Sequence, residues 1–476
     1  MASLLGAIAR VKRDVLAALD RTAVERVCDE LGHEWRDRAL DPATTVALFV
    51  QQVLHGNVSC GEVRHLAGKA AGAAAAAAPA AEGFTASAYC QARSRLPLRA
   101  LQALLTGVVD AALPATRLHE HRWLGRHRVF HVDGSTFSMP DTPALREAFG
   151  TPSGQKQGCG FPVAHLLVLF NAQTGLLVDA WASPLNTGDV AQTPEAHSHL
   201  DAGDVLIGDD SFSGYAHLAS LVRQNLHALL PVHHLRIVDF TKGRPHRGGG
   251  GEGTDADAGM PTSRWVRSLG KEDQLVEYFK PRRPALWMTR AGHDALPDSV
   301  VVRELRRTVE RPGLGHVTLT MMTTLTDPKA YPAEALLELR LRRWDVETDL
   351  RHLKTTMGMD VLRCKSEQGV RKRSRIRRLP GDELAVFCLV YNLVRVVMLE
   401  AARRQDAPVA RVSFADALHW VRHARRGDPM PALTLNPLRP NRAEPRCKKR
   451  RAKQFDLMNK PRDTLRKALG KRRNTR

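Results

Sequence analysis

The chain has 476 residues, of which 43% are hydrophobic, and it carries a formal net charge of +21 at pH 7. This length is enough for two to four domains, and the apolar content is enough for a packed core. The excess of Lys and Arg favours a polyanionic partner, because cations that contact phosphates release bound counterions.

Several classes of protein are excluded at this stage. The seven cysteines are scattered and form no CxxC pair, so the sequence predicts neither a zinc ribbon nor a disulfide framework, and it indicates a reducing compartment. We expect no membrane span, because no uninterrupted run of 18 apolar residues occurs. Arg10, Lys12 and Arg13 follow the N-terminus too closely for a secretory signal.

Residues 1–115 are predicted to form helices. The segment "PATTVALFVQQVLHG" has helical apolar spacing and ends at Gly56, a glycine typical of a helix end. In "TASAYCQARSRLP", Thr85 is a candidate N-cap and Pro97 a stop signal. This pattern predicts a helical N-terminal region.

Residues 116–235 change to short apolar runs between helical patterns. "HRVFHVDGS" predicts a strand that ends in Asp133, and "GDVLIGDDSF" predicts one that ends in Asp209 and Asp210. "VAHLLVLFNAQTGLLVDAWAS" predicts two strands around a turn. Strands and helices mixed in this way indicate an α/β domain.

Two further segments follow. Residues 236–325 are predicted to be a β-rich insertion, with β segments at "QLVEYFK", "ALWMTRA", "SVVVREL" and "VTLTMMTTL". Residues 326–425 are predicted to return to the α/β domain, with one helix over about 332–358 and an apolar helix at "ELAVFCLVYNLVRVVMLEAARR".

The C-terminal segment, residues 426–476, is predicted to be a basic tail. From residue 439 onward it contains 16 Lys and Arg against three acidic residues, which leaves +13 of the net +21 in this segment. Such a density of cations favours an arm that binds the phosphate backbone of DNA, with a disordered solubilising tail as the alternative. The candidate contacts are Lys448, Lys449, Arg450 and Arg451.

The stretch "RRWDVETDLRHLK" places a glutamate among cations. Because each helical residue turns about 100°, Arg340, Arg343, Glu347 and Lys354 are predicted to lie along one stripe of a helix. A solvated face with i,i+4 ion pairs is the alternative interpretation.

Asp133, Asp209 and Glu347 are the candidate catalytic residues and the candidate metal ligands. Three carboxylates on two strands and a helix can hold two Mg²⁺ ions, which prefer oxygen ligands. Two such ions can support displacement at the phosphorus of a phosphodiester. An aspartate after a strand is more commonly a turn or capping residue, which is the alternative for Asp133 and Asp209 taken singly.

The helix motif and its neighbours resemble a known family. In the DDE transposases of the bacterial insertion-sequence-four family, the glutamate helix reads Tyr, two residues, Arg, three residues, Glu, six residues, Lys. Arg343, Glu347 and Lys354 fall in the last three slots. "HVDGSTFSMPD" and "GDVLIGDDSFSGY" resemble the family's two aspartate segments, so Asp133 and Asp209 match. "AYCQARSRLP" and the tail segment "PRCKKRRAK" are also similar to family sequence.

The resemblance covers roughly residues 85–475 and implies a fold and an activity. The implied fold is a ribonuclease-H-like α/β catalytic core interrupted by a β-rich insertion, before the basic tail. The resemblance also implies that the N-terminal helical domain, residues 1–115, binds DNA. The implied activity is cut-and-paste DNA transposition that depends on two Mg²⁺ ions, with Mn²⁺ as a substitute. The implied partners are double-stranded DNA at transposon ends and target, and a second copy of the chain in the DNA complex. The implied location is the nucleoid-associated cytoplasm of a bacterium.

This sequence departs from the family pattern at three places. Arg340 occupies the tyrosine slot, Asp210 stands where arginine is usual, and residues 373–382 interrupt an otherwise continuous segment. We expect the Asp210 side chain to point away from the site, because adjacent strand residues face opposite sides. Two alternatives stay open: a DNA-binding protein with an inactive catalytic frame, and a hydrolytic nuclease on the same fold.

Overall fold

The structure of the chain is a computed structural model that describes part of the sequence. These are residues 20–36, 38–66, 84–116, 122–153, 159–247, 260–311, 315–363, 381–423, 429–438, 460, 461, 464 and 467.

Helices and strands alternate along much of the described chain. The α-helices are α1 (Arg21–Glu30), α2 (Pro42–Leu54), α3 (Ala86–Arg95), α4 (Leu98–Thr116), α5 (Pro143–Phe149), α6 (Thr193–His197), α7 (Tyr215–Arg223), α8 (Arg290–Asp294), α9 (Ala333–Leu341), α10 (Trp344–Arg351), α11 (Gly381–Arg404) and α12 (Phe414–His423). The strands are β1 (Val129–Ser138), β2 (Val163–Asn171), β3 (Leu177–Pro184), β4 (Val205–Ile207), β5 (His227–Pro231), β6 (Arg264–Gly270), β7 (Asp273–Phe279), β8 (Ser299–Arg311) and β9 (Gly315–Thr323).

The strands form one mixed sheet of nine, in the order β3-β2-β1-β4-β5-β9-β8-β7-β6. Strands β1, β2 and β3 pair antiparallel, whereas β4 runs parallel to both β1 and β5. The four strands of the predicted β-rich segment continue this sheet, since β9 pairs antiparallel with β5. The mixed α/β class predicted from the sequence is therefore confirmed.

Strand β1 is longer than the sequence suggested. It was predicted to end at Asp133, but it runs on to Ser138, which pairs with Val163 of β2. The polar residues after Asp133 resemble a turn in the sequence, yet the backbone of β2 supplies their hydrogen-bond partners, and this pairing overrides the local preference. Asp133 thus lies inside β1, two residues beyond the end of its pairing with β4.

Helix α11 packs across one face of the sheet and forms the largest core with α2, α4 and α12. Its Asn392 side chain bonds both backbone groups of Leu177 at the start of β3, at 2.9 and 2.8 Å. Residues Asp382–Arg404 are long and apolar enough to meet the criterion for a membrane span, but 94% of that apolar window is buried inside the protein. This burial is what the central helix of a packed core requires.

Two other expectations from the sequence were wrong. The segment "ALWMTRA" is not a strand, because it runs through turns into the short helix α8. The helix predicted over about 332–358 is broken into α9, α10 and a π-helix at His352–Thr356. The break at Arg342 and the change of helical pitch alter which of its side chains share a face.

Candidate active site

Two aspartates meet where the parallel pair β1 and β4 ends. The register pairs Val129 with Val205 and His131 with Ile207. Continued two residues beyond the last pair, this register leads to Asp133 and to Asp209, the N-cap of the 3-10 helix Asp210–Ser213, and the Asp209 charge acts on the Asp133 carboxyl. Side chains just past the carboxyl ends of parallel strands share one edge of a sheet, which is a common place for functional groups.

The glutamate of α10 joins this edge through an arginine. The Arg343 guanidinium donates to Glu347 Oε1 at 2.5 Å and lies 3.6 Å from Asp133 Oδ2. Arg343 is only 12% exposed, so its charge acts in a poorly solvated place. One cation therefore links the carboxylate of a central strand to the carboxylate of a helix 214 residues later.

The electrostatics of Asp133 indicate that all three carboxylates are close together. The pKa of the Asp133 carboxyl is raised to about 6, mainly by burial, while the Arg343 charge opposes the rise. The negative charges of Asp209 and Glu347 contribute to this raised pKa. Burial and mutual repulsion make the ionised form of Asp133 unfavourable, and a bound cation would offset both effects, so the site is suited to holding cations.

Replacing Asp133 by Asn should stabilise the protein in EDTA at pH 8, and most of this gain should be absent near pH 4. The folded-state pKa lies above the ordinary 3.8, so the ionised carboxylate costs stability above pH 6, and the cost disappears as pH falls below the ordinary value. A shift of about two units corresponds to at most about 3 kcal/mol, or a few degrees in melting temperature.

Thermal unfolding at the two pH values measures this effect. Asp29→Asn, at an exposed position of α1, is the matched control and should show no pH-dependent gain. A lower melting temperature for Asp133→Asn than for the unchanged protein at pH 8 would mean that Asp133 is stabilising when ionised, against this account.

Lys354 reaches the site from the π-helix. Its Nζ donates to Ser135 Oγ at 2.8 Å and lies 3.4 Å from Asp360 Oδ1. Ser135 is two residues after Asp133, so it faces the same side of β1. The π-helical turn widens the helix at this point, a feature that often marks functional sites. Lys354 and Arg343 therefore flank the Asp133 side of β1.

Arg340 belongs to α9, so the predicted single stripe is interrupted, but it still contributes to the same positive region. The pKa of His131 is lowered to about 3, first by burial and then by the charges of Arg342, Arg343 and Arg340. Sequence reasoning missed His131, a buried histidine two residues before Asp133 on the same face of β1. The period-two spacing of His131, Asp133 and Ser135 was the available signal.

The two adjacent aspartates after β4 have different surroundings. Asp209 Oδ1 accepts hydrogen bonds from the amide of Ser211 at 2.9 Å and from its hydroxyl at 2.6 Å. The Asp210 carboxylate lies 3.2 Å from His234 Nδ1, in the loop after β5. The two carboxylates thus have different neighbours. The predicted strand does not reach Asp209 and Asp210, because β4 ends at Ile207 and Asp210 begins a 3-10 helix, so the alternation of a strand does not apply to them.

A glycine in β1 allows a second polar cluster to pack behind Asp133. A Cβ at Gly134 would lie 2.1 Å from Asp189 Oδ1, far inside contact distance. Asp189 is held in place by His165, whose Nε2 lies 2.5 Å from the same oxygen and whose Nδ1 lies 2.8 Å from Gln192 Nε2. The Asp189 carboxylate therefore leaves no room for a side chain larger than hydrogen at Gly134.

Gly134→Ala should therefore destabilise the protein by about 1–3 kcal/mol, the range for overpacking at a close-packed site. Gly107→Ala in α4 is the control, because no atom lies within 4 Å of the Cβ position there. That change should be neutral or stabilising, since alanine favours helix. Denaturant titration measures the free energy of unfolding of both variants. Equal values would contradict the prediction and show that β1 can shift at Gly134 at little cost.

The tail candidates cannot be placed. Lys448, Lys449, Arg450 and Arg451 lie outside the described residues. Their contact with DNA stays a prediction from the sequence.

The comparisons with known proteins point to one family. The family described as "Transposase DDE domain" matches residues 124–379, more than half of the chain. The transposase InsG for insertion sequence element IS4 of Escherichia coli (strain K12) is 25% identical over 317 residues, which is 66% of this chain and 62% of that protein. The putative transposase InsZ of the same organism is 27% identical over 149 residues, covering 31% of this chain and 49% of InsZ.

Two solved structures overlap the chain loosely. A piggyBac transposase synaptic complex with hairpin DNA has a TM-score of 0.36 and 9% identity, covering 88% of this chain and 79% of that one. A pre-cleavage Mos1 transpososome has a TM-score of 0.14 and 11% identity, covering 41% and 60%. At these scores the family assignment rests on the sequence matches. The matched region contains Asp133, Asp209 and Glu347, and the similarity to InsG agrees with the family resemblance seen in the sequence. The predicted family is therefore confirmed: the chain belongs to the DDE transposases, among relatives of the insertion-sequence-four type.

Proposed function

We propose that this chain catalyses cut-and-paste transposition of an insertion sequence by phosphodiester hydrolysis and strand transfer. The observation that supports it most is the pairing of one buried arginine with two carboxylates, Asp133 and Glu347, beside Asp209. The five strands in the order β3-β2-β1-β4-β5 would be the ribonuclease-H-like core. Strands β6 to β9 would be the insertion, between the boundaries 236 and 325 given above.

The carboxylates fit divalent magnesium. Asp133, Asp209 and Glu347 offer oxygen ligands of the kind that Mg²⁺ prefers, and Mn²⁺ accepts the same set. The pKa of Asp133 is raised mainly by burial and in smaller part by the charges of Asp209 and Glu347, and a bound cation would offset both effects. When bound, two such ions would supply Lewis-acid stabilisation of the charge that develops at phosphorus.

The cations around the carboxylates would position the DNA. The Arg343 guanidinium is planar and can bind two phosphate oxygens, and Lys354 adds a point charge beside Ser135 on the same face of β1. Arg340 adds positive charge in the place of the family's tyrosine and would bind a phosphate through charge. Backbone contacts of this kind fix the register of DNA without reading its sequence.

The remaining assignments follow from the family resemblance. The partners would be double-stranded DNA, at terminal inverted repeats and target, with a homodimer formed in the DNA complex. The N-terminal helices and the basic tail would add DNA contacts, because the tail alone carries +13. The protein would act on the bacterial nucleoid in the cytoplasm.

The direct test uses a plasmid that carries the element's two ends. In Mg²⁺ we expect the protein to release the element and to insert it into a second plasmid, and in EDTA we expect binding without cleavage. Binding with no cleavage in Mg²⁺ or Mn²⁺ would instead identify a repurposed DNA-binding protein. Cleavage with no strand-transfer product would identify a hydrolytic nuclease.

A further inference from the structure

Two histidines and an aspartate converge next to the acidic site without belonging to it. One ligand atom from each of Asp210, His233 and His234 lies within 4.8 Å of the others. We propose that these three side chains bind a borderline divalent transition-metal ion such as Zn²⁺, at a site separate from the three carboxylates. Binding of this ion does not depend on the proposed function. The effect of the ion on Asp209, argued below, does rest on the proposed function.

The topology explains why these residues meet. Strands β4 and β5 are parallel neighbours, with Ile207 beside Leu229, so the segments that leave their carboxyl ends lie side by side. Asp210 leaves β4 into a 3-10 helix, while His233 and His234 follow β5. The Asp210 Oδ2 to His234 Nδ1 distance is 3.2 Å.

The two imidazoles lie on the same side of the chain. Their rings stack with centroids 4.3 Å apart and an interplanar angle of 28°. Consecutive residues in an extended strand point to opposite faces, but His233 and His234 come after β5 ends at Pro231, and both rings turn toward Asp210. The chain thus presents two imidazoles and one carboxylate to one point.

The ligand set selects the class of ion. Two imidazole nitrogens and one carboxylate oxygen suit Zn²⁺, Co²⁺ or Ni²⁺, whereas Mg²⁺ prefers oxygen ligands alone. The amide of Leu235 donates to His233 Nδ1 at 3.2 Å, which requires an unprotonated nitrogen there, and an ion can take the same lone pair. The His234 side chain is 70% exposed, so it can rotate to close the site, and a remaining position is open to water.

An ion at this site would hold the turn that carries Asp209. Asp209 and Asp210 share one short turn, in which Ser213 Oγ donates to the Asp210 carbonyl at 2.6 Å. Binding at Asp210 ties this turn to the loop after β5. The ion would therefore act as a clamp that fixes the backbone of one of the three acidic ligands.

Metal titration of the full chain without a polyhistidine tag tests the proposal. We expect one Co²⁺ ion per chain to give the visible absorption of a nitrogen-ligated site, and we expect Zn²⁺ but not Mg²⁺ to displace this ion. Affinity should fall at least about tenfold in Asp210→Asn and in His234→Ala, since each removes a direct ligand. Equal Co²⁺ affinity in these variants and the unchanged protein would overturn the proposal, as would no binding at all.

Two control variants separate this site from its surroundings. His199→Ala removes a histidine that pairs with Asp179 at 3.2 Å, outside the cluster, and should bind Co²⁺ as the unchanged protein does. Glu347→Gln should also bind Co²⁺ normally, so loss of transposition activity in that variant would not bear on this site. If Glu347→Gln abolished the Co²⁺ absorption, the ion would lie at the three carboxylates, and the proposal would be wrong.

A second measurement does not depend on activity or on spectra. Saturating Zn²⁺ should raise the melting temperature of the unchanged protein, because a ligand that binds only the folded state stabilises it. Asp210→Asn should lack most of this rise while keeping the same melting temperature in EDTA. A rise of equal size in both proteins would contradict the site.

Discussion

Glu347→Gln is expected to abolish Mg²⁺-dependent strand cleavage while DNA binding stays the same or becomes slightly tighter. The substitution keeps the shape of the side chain and removes one negative charge. A neutral amide oxygen holds a hard cation much more weakly than a carboxylate does. Substitution of a residue that hydrogen-bonds to a metal ligand lowers metal affinity or activity by about 10–100-fold. Loss of the ligand itself should therefore lower cleavage by more than about a hundredfold.

Retention of DNA binding is the more informative half of this result. In the unchanged protein Glu347 accepts a 2.5 Å hydrogen bond from Arg343. The amide leaves more of the Arg343 charge available to a phosphate, and it removes a repulsive charge from the edge of the site. Binding and cleavage of a fragment that carries one terminal repeat can be measured side by side.

The control for this variant is Glu338→Gln, an exposed glutamate of the preceding helix α9. It removes the same charge from a nearby surface and should cleave normally. If Glu347→Gln cleaved at the rate of the unchanged protein, the three-carboxylate interpretation would be wrong and α10 would be only a basic surface.

The sequence was informative where a local rule determines the contact. Arg343 and Glu347 are four residues apart, and the i,i+4 ion pair, which belonged to the alternative interpretation of this helix, is present at 2.5 Å. The turn between β2 and β3 and the capping residue Thr85 of α3 were also predicted correctly. In each case residues close in the sequence decide the geometry.

The sequence was less informative where distant packing decides. The helix predicted from the sequence was a regular one that turns about 100° per residue. Such a helix has neither the break after α9 nor the π-helical hydrogen bond from the Met357 amide to the His352 carbonyl. Leu353 and Met357 are both buried in the largest core, so contacts with other elements favour this widened turn. The pairing of Asp189 with His165 behind Gly134 likewise joins segments that no local pattern connects.

Arg343→Ala is expected to have two opposite effects: tighter binding of Mn²⁺ in the absence of DNA, and weaker cleavage of DNA. Arg343 Nη1 lies 3.6 Å from Asp133 and Nη2 2.5 Å from Glu347, where its charge repels an incoming cation and occupies carboxylate oxygens. Removal of a poorly solvated charge at this distance should raise Mn²⁺ affinity about tenfold, or about 1.4 kcal/mol.

The loss of cleavage has a different cause. Without the guanidinium, the scissile phosphate loses a charge-assisted contact of about 1.5–3 kcal/mol, so cleavage should fall between about tenfold and a hundredfold. Arg343→Lys keeps the charge but loses the fork, and should fall between Arg343→Ala and the unchanged protein. Arg351→Ala, on the last turn of the same helix, is the control for a general loss of positive charge.

Titration of Mn²⁺ by electron paramagnetic resonance without DNA separates these effects from each other. If Arg343 serves DNA, Arg343→Ala binds Mn²⁺ more tightly and cleaves poorly, and raising the Mn²⁺ concentration does not restore cleavage. If Arg343 instead holds the carboxylates in position for the cation, Mn²⁺ binding weakens in Arg343→Ala, and excess Mn²⁺ restores cleavage. The second outcome would remove Arg343 from the DNA contacts and make it a positioning residue for Asp133 and Glu347.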